Sequence, residues 1–217
     1  NGFSIAAGGG FNAMVAAKRS GMDVSYGGAL GTGPFARIVR EALNTEAIPF
    51  LLPQDTQRDQ GCCTVMIDQT GDRTFVASDG AEGYTTVRAL EGLNAISFDW
   101  TLLSGYALHY KGSRPALCEW LQSDAPMSRL VFDPSPVVAA IPAEALAAAR
   151  SRATWISANL REAAVMTGIT DPMQSAKARR KVIAGAPSVT RWSKVRLRVI
   201  MVRLTIWPSS ATAGRCT

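Results

Sequence analysis

Between residues 100 and 168, short apolar runs alternate with runs of helical pattern, and that alternation limits the architecture more than any other feature. A strand is predicted over 100–104, then a helix capped by Ser113 through Leu117, Trp120 and Leu121. Leu130-Val131-Phe132-Asp133 reads as a strand ending in a carboxylate. Pro142 opens a helix over 143–151, and a strand follows over 154–157. A helix over 160–167 is closed by Gly168, and another is predicted over 172–184. Parallel strands need long crossovers, and helices are the usual ones, so the pattern predicts an α/β fold: a parallel sheet with helices on both faces.

The first third has a different texture. A strand is predicted over 24–30. Gly33-Pro34 opens a helix in which Phe35, Ile38, Val39 and Leu43 fall at helical spacing. A short strand is predicted over 47–52. Segments 61–68 and 73–78 flank Gln69-Thr70-Gly71-Asp72, which reads as a hairpin loop. Thr85 or Thr86 caps a short helix to Leu93. This part predicts a small antiparallel β lid beside the α/β body, built from about 1–8, 24–30 and 61–78.

The chain has 217 residues, 47% of them hydrophobic and 18% charged, which suits one domain with a sizeable core. No apolar run approaches the roughly 18 residues of a membrane span. Cys62, Cys63, Cys118 and Cys216 form no C-x-x-C pair, so reduced cysteines in the cytoplasm are expected rather than a zinc site. His109 is the sole histidine, and no G-x-S-x-G nucleophile motif accompanies it. The net charge of +6 hides an asymmetry. Residues 177–217 carry ten Lys and Arg and no acid, which leaves 13 basic and 17 acidic residues in 1–176. Such a tail reads either as a nucleic-acid arm or as a segment foreign to the fold.

The densest ligand signal is Gly8-Gly9-Gly10-Phe11-Asn12, placed between an apolar lead-in and the run to Gly21. The glycines let a ligand approach the backbone, Asn12 sits where an N-cap belongs, and Gly21 where the helix should stop. A glycine turn feeding a helix presents N–H groups to polar or anionic ligands. Gly8-x-Gly10-x-x-Ala13 also fits a loose dinucleotide fingerprint, but the region 26–31 lacks the carboxylate that motif requires. Beyond strand ends stand Ser104-Gly105-Tyr106, Asp133, and Asn159 with Glu162. Asn159 and Glu162 lie one helical turn apart, a spacing that serves either Mg²⁺-bound waters or a capping box.

Taken in order, the Gly-Gly-Gly-x-Asn turn, the hairpin with Asp72-Arg73-Thr74-Phe75, Asp133 at a strand end and Asn-x-x-Glu resemble the ribokinase-like (PfkB-type) carbohydrate kinases over roughly residues 1–190. Met14 departs from the small residue that the family's first signature prefers. The resemblance implies a ribokinase-like fold, ATP and Mg²⁺ as cofactors, and phosphorylation of a hydroxymethyl group on a sugar or nucleoside-like substrate. It implies sugar contacts from Gly8, Gly9, Gly10, Asn12 and Tyr106, and a role for Asn159 and Glu162 on Mg²⁺ and phosphate. It further implies a cytoplasmic homodimer joined through the β lid, with no membrane and no specific nucleic-acid partner.

Two parts of the family pattern are absent from these residues: the opening strand, expected before Asn1, and the Gly-Ala-Gly-Asp segment that carries the catalytic base and anion hole. No catalytic residue is therefore identified. Phosphoryl transfer rests on positioning and charge stabilisation, so the chain is expected to be a nearly inert fragment. From Arg191 the expected Gly-rich hairpin gives way to the basic run. With one choice of codons, a frame two nucleotides later reads Leu-Glu-Gln-Gly-Pro-Ala-Ala-Gly-Tyr-Tyr-Gly, and a frameshift near residue 190 is expected. The expectation is one incomplete domain over 1–217, with 191–217 an aberrant basic tail able to pair as a strand through Val195, Leu197, Val199 and Met201. The alternative is a non-catalytic ligand- or nucleic-acid-binding protein that uses the tail.

Overall fold

The computed structural model describes residues 3–123, 129–171, 196–200 and 204–208. In chain order the elements are β1 (Phe3–Ala7), α1 (Gly9–Arg19), β2 (Asp23–Tyr26), α2 (Pro34–Thr45), β3 (Cys62–Ile67) and β4 (Arg73–Ser78). Then come α3 (Val87–Asn94), β5 (Trp100–Ser104), α4 (Gly105–His109), α5 (Arg114–Gln122), β6 (Arg129–Asp133), α6 (Ala143–Arg152), β7 (Trp155–Ile156) and α7 (Leu160–Thr167). Two strands close the series, β8 (Arg196–Ile200) and β9 (Leu204–Pro208). The helix expected over 172–184 lies outside the described residues.

Five strands form a parallel sheet in the order β2-β8-β5-β6-β7. Successive side chains on a strand point to opposite faces, and two apolar cores follow. Val199 joins Met14, Val24, Tyr26, Val39 and Leu43 in a core with α1 and α2. Its neighbour Ile200 joins Leu103, Leu117, Trp120 and Phe132 in a core with α3, α5 and α6. The predicted α/β architecture with helices on both faces is what the structure has.

The second sheet has the order β1-β9-β3-β4, with β1–β9 and β3–β4 antiparallel and β3–β9 parallel. It is the predicted lid, with two corrections. Segment 24–30 contributes no lid strand: β2 lies in the parallel sheet, where all but its first residue are buried. Nor is 47–52 a strand; Phe50 makes a single bridge to Tyr26, and the Leu51 N–H donates to the Tyr26 carbonyl at 2.9 Å.

Arg196–Ile200 is a strand, as the apolar alternation predicts, but it fills an interior position of the parallel sheet, and β9 fills an interior position of the lid. Rather than hanging off the fold, these ten residues run through both sheets. Arg198 is the cost of that placement. It is 2% exposed, and its guanidinium donates to Thr101 Oγ1 at 3.0 Å and to the Leu93 carbonyl at 2.9 Å. Burial without a paired carboxylate among the described residues pushes its pKa down to about 10.

Cys63 and Cys118 are free thiols. Among the described residues no helix is long and apolar enough to cross a membrane, and no cluster of His, Cys, Asp and Glu could hold a metal ion.

Candidate functional site

Because the sheet is parallel, its strand ends share one edge: Tyr26, Ser104, Asp133, Ile156 and Ile200 close their strands there. Ligands of open α/β sheets bind beyond that edge. Ser104 and Asp133 are direct partners across β5 and β6. The Ser104 hydroxyl accepts from the Tyr106 N–H at 3.4 Å and lies 3.2 Å from the Ser135 hydroxyl. Ser135, at a left-handed φ of 58°, donates its N–H to Asp133 Oδ1 at 2.8 Å. Burial raises the Asp133 carboxyl above the usual 3.8, while the Ser135 hydrogen bonds pull the other way. Gly105 is required here by packing, since a Cβ would collide with the Pro134 carbonyl. Tyr106, half-buried in the first turn of α4, rests against the larger core.

At the next strand end, Asn159 and Glu162 are brought into direct contact. Asn159 Oδ1 accepts from the Glu162 N–H at 2.9 Å. Glu162 Oε2 accepts from the Asn159 N–H at 2.9 Å, and Oε1 from Asn159 Nδ2 at 2.8 Å. This is a capping box, and Gly168 (φ 71°) closes α7 at its other end. A carboxylate fixed at both oxygens and 8% exposed is poorly placed to ligate a metal directly. Each oxygen retains a lone pair, so the pair suits hydrogen bonds to metal-bound water.

The glycine turn is displaced by one helical turn from its predicted register. Gly8 is the N-cap and α1 begins at Gly9, so Asn12 is the fourth helical residue and not the cap. The N–H groups of Phe11 and Asn12 donate to the Gly8 carbonyl at 2.9 and 3.2 Å. With three glycines the chain turns early, and no polar side chain is needed to start the helix. That leaves the exposed Asn12 side chain without the local role the sequence gave it. The predicted stop holds: Gly21 has φ 89°, just past the C-cap Ser20.

Sequence reasoning missed a cleft at the end of the lid that also carries this turn. Ala7, Leu204, Cys62 and Ser78 form one row across the four lid strands, so the turn after Ala7 and the strand ends at Cys62 and Ser78 share one end of the lid. Strand spacing puts Ala7 and Cys62 roughly 10 Å apart. A cleft of about 420 Å³ opens there, lined by Phe35, Arg58, Asp59, Cys62, Ser78 and Asp79 among others. Asp59 caps α2 from a distance, accepting from the Phe35 and Ala36 N–H groups at 3.0 and 2.7 Å. Arg58 lies over the Tyr84 ring at 3.9 Å and pairs with Asp55 at 3.0 Å. Buried Glu82 braces the same loop, accepting from the Gly61 N–H at 2.8 Å. Asp59 stands 24 residues along the chain from Phe35, whose N–H it caps, so no local pattern could reveal it.

The predicted site residues thus form three groups, each at a helix start: Gly8, Gly9, Gly10 and Asn12 on α1; Tyr106 on α4; Asn159 and Glu162 at α7. The sheet edge carries the second and third groups, and the lid base carries the first.

Residues 3–190 match the family model described as pfkB family carbohydrate kinase. Over 154 residues the chain is 28% identical to the uncharacterized sugar kinase YegV of Escherichia coli (strain K12), covering 71% of this chain and 47% of that protein. The fructokinase of Halothermothrix orenii superposes with a TM-score of 0.67 at 20% identity, over 81% of this chain and 65% of its own. The adenosine kinase of Sinorhizobium meliloti gives 0.68 at 17% identity, over 80% and 55%. A PfkB protein from Polaromonas sp. JS666 gives 0.64 at 20%, over 80% and 62%. The chain spans about half the length of its curated relative and less than two thirds of each of these solved structures.

Proposed function

The chain belongs to the pfkB family of carbohydrate kinases, and from that premise we propose that it carries the sugar-capturing part of an ATP-dependent kinase for a sugar or nucleoside-like hydroxymethyl group. One observation carries the reading: the Gly8–Gly10 turn and the lid-base cleft share an end of the lid, beside the α/β body. A hydroxyl-rich ligand there is proposed to meet backbone N–H groups of Gly9 and Gly10, the amide of Asn12, and the carboxylate of Asp79, which lines the cleft. Asn12 offers both a donor and an acceptor, the pairing a sugar hydroxyl needs. Tyr106 adds a ring and a hydroxyl at the sheet edge.

Asn159 and Glu162 are the residues proposed to act toward Mg²⁺ and the nucleotide phosphates, through water rather than by direct ligation. Mg²⁺, when bound, supplies neutralisation of the phosphate charge. Glu162 holds a hydrogen-bond acceptor at a fixed point, and Asn159 keeps it there. These 217 residues contain no Gly-Ala-Gly-Asp segment, so we propose sugar binding with little or no turnover. Pairing of two copies through the lid is proposed on its exposed Ile5, Met66, Phe75 and Val76. A cytoplasmic location accords with the free thiols of Cys63 and Cys118.

The nucleic-acid reading is not favoured. Arg198 is buried and Arg196 lies 3.5 Å from Asp23, so two of the tail's ten cations are already engaged.

Titration calorimetry with a panel of free hexoses, pentoses and nucleosides tests the reading, alongside an ATP turnover assay with Mg²⁺. Saturable binding of one sugar without turnover supports it. Binding of no sugar contradicts the site, and turnover in the usual kinase range of ~1–100 s⁻¹ contradicts the proposed inertness.

A further inference from the structure

Gln60 and Glu82 are polar side chains buried to 2% and 3% exposure at the base of the β3–β4 hairpin. Gln60 stands just before β3, and Glu82 just after β4. Cys62 and Ser78 are direct partners across these strands, so the two legs of the hairpin leave the lid side by side. They stay in contact below it. The Ala81 N–H donates to the Asp59 carbonyl at 2.9 Å, and a Cβ on Gly61 or Gly80 would strike the opposite leg.

One carboxylate oxygen joins the two legs. Glu82 Oε2 accepts from Gln60 Nε2 at 2.9 Å and from the Gly61 N–H at 2.8 Å. Gln60 carries the network on to the body: its Oε1 accepts from the Gly31 N–H at 3.1 Å, and its Nε2 also donates to the Ala29 carbonyl at 3.4 Å. The Thr32 N–H donates to the Arg58 carbonyl at 3.1 Å beside them. Residues 29–32 follow β2, a strand of the parallel sheet. A buried carboxylate is costly unless it is hydrogen-bonded, and this one spends a single oxygen on two donors. The residues that precede Gln60 and Gly80 are Asp59 and Asp79, and both line the cleft at the lid base.

We propose that the Gln60–Glu82 pair is a clamp that fastens both legs of the β3–β4 hairpin to the body and fixes the spacing of Asp59 and Asp79 across the cleft. Both are positioning residues, acting on a ligand through the cleft wall they hold. The identity of that ligand rests on the sugar-binding reading; the clamp itself does not.

Hydrogen exchange on the full chain tests it without any ligand. In Glu82→Ala the Gly61 and Ala81 amides, and those of β3 and β4, exchange faster by roughly 10- to 150-fold, the worth of a hydrogen bond to a charged group. The amides of β5 keep their wild-type rates. Gln60→Glu sets two carboxylates against each other and loosens the hairpin in the same way. The double exchange Gln60→Glu with Glu82→Gln restores a donor–acceptor pair and recovers most of the protection. Equal acceleration in β5 and in the hairpin overturns the proposal, because it marks a general loss of stability. So does a double variant no better protected than Gln60→Glu. If Glu82→Ala fails to fold, the comparison of Gln60→Glu with the double variant decides the matter. Titration of the hexose, pentose and nucleoside panel into wild type and Glu82→Ala adds the second readout. A sugar that binds wild type binds Glu82→Ala more weakly, by roughly tenfold. A loosened hairpin with equal sugar affinity overturns the positioning role. If no sugar binds wild type, the sugar-binding reading falls and the exchange rates alone decide the clamp.

Discussion

Asn159 and Glu162 hold one another through three hydrogen bonds of 2.8–2.9 Å, two of them between a side chain and the other residue's backbone N–H. The first prediction follows from this reciprocity. Asn159→Ala and Glu162→Ala each lower stability by about 1 kcal/mol, the typical worth of a cap. Urea unfolding of the two variants and the double variant should be non-additive, because either change breaks the same box. Additive losses would show that the two side chains act separately. In a longer chain bearing the Gly-Ala-Gly-Asp segment, Glu162→Ala should slow turnover more than it weakens sugar affinity.

Arg198 gives the second prediction. A buried cation is often replaced without loss by an apolar side chain of similar volume. Arg198→Met should leave the unfolding midpoint at neutral pH unchanged or raise it. The folded pKa of about 10 lies below the ordinary guanidinium value, so the unfolded chain binds the proton more tightly. The charge therefore opposes folding in full below about pH 10, and the penalty shrinks as pH rises above that value. Melting curves of the two proteins should converge across that window. A constant gap would mean that the guanidinium is not desolvated.

Asp133 is expected to behave oppositely in acid. Burial raises its folded pKa above the unfolded value of 3.8, so its contribution to stability is favourable only where it is protonated. It is lost as pH rises through the folded value. Asp133→Asn keeps an oxygen for the Ser135 N–H and removes the charge. The variant should melt higher at neutral pH and match the wild type well below pH 3.8. Equal melting points at neutral pH would place the carboxylate in water.

These outcomes also mark what the sequence could reveal. The alternation after residue 100 was enough for the parallel sheet, because apolar runs bounded by Ser113, Pro142 and Gly168 carry their own punctuation. Thr86 and Asn159 were legible as caps for the same local reason. Segment 24–30 was misassigned because the buried strand residues Val24, Ser25 and Tyr26 would look alike in either sheet, and long-range pairing to β8 decides the matter. Asn12 was misread because three successive glycines allow the helix to start anywhere among them, and packing chose Gly8. Asp59 and the cleft it lines depend on a contact across 24 residues, and the place of the tail on contacts across about 100 to 200. No window of local pattern contains such information.

The account rests most heavily on Asn12 as a ligand-facing side chain. Because Gly8 is the cap, Asn12 is exposed and has no capping duty to lose. Titration of the sugar that binds, into wild type and Asn12→Ala, with a melting curve for each, measures the point directly. The account predicts a loss of about 1–3 kcal/mol in sugar affinity, roughly 5- to 150-fold, at an unchanged or slightly raised melting point. Equal sugar affinity in the two proteins would contradict it.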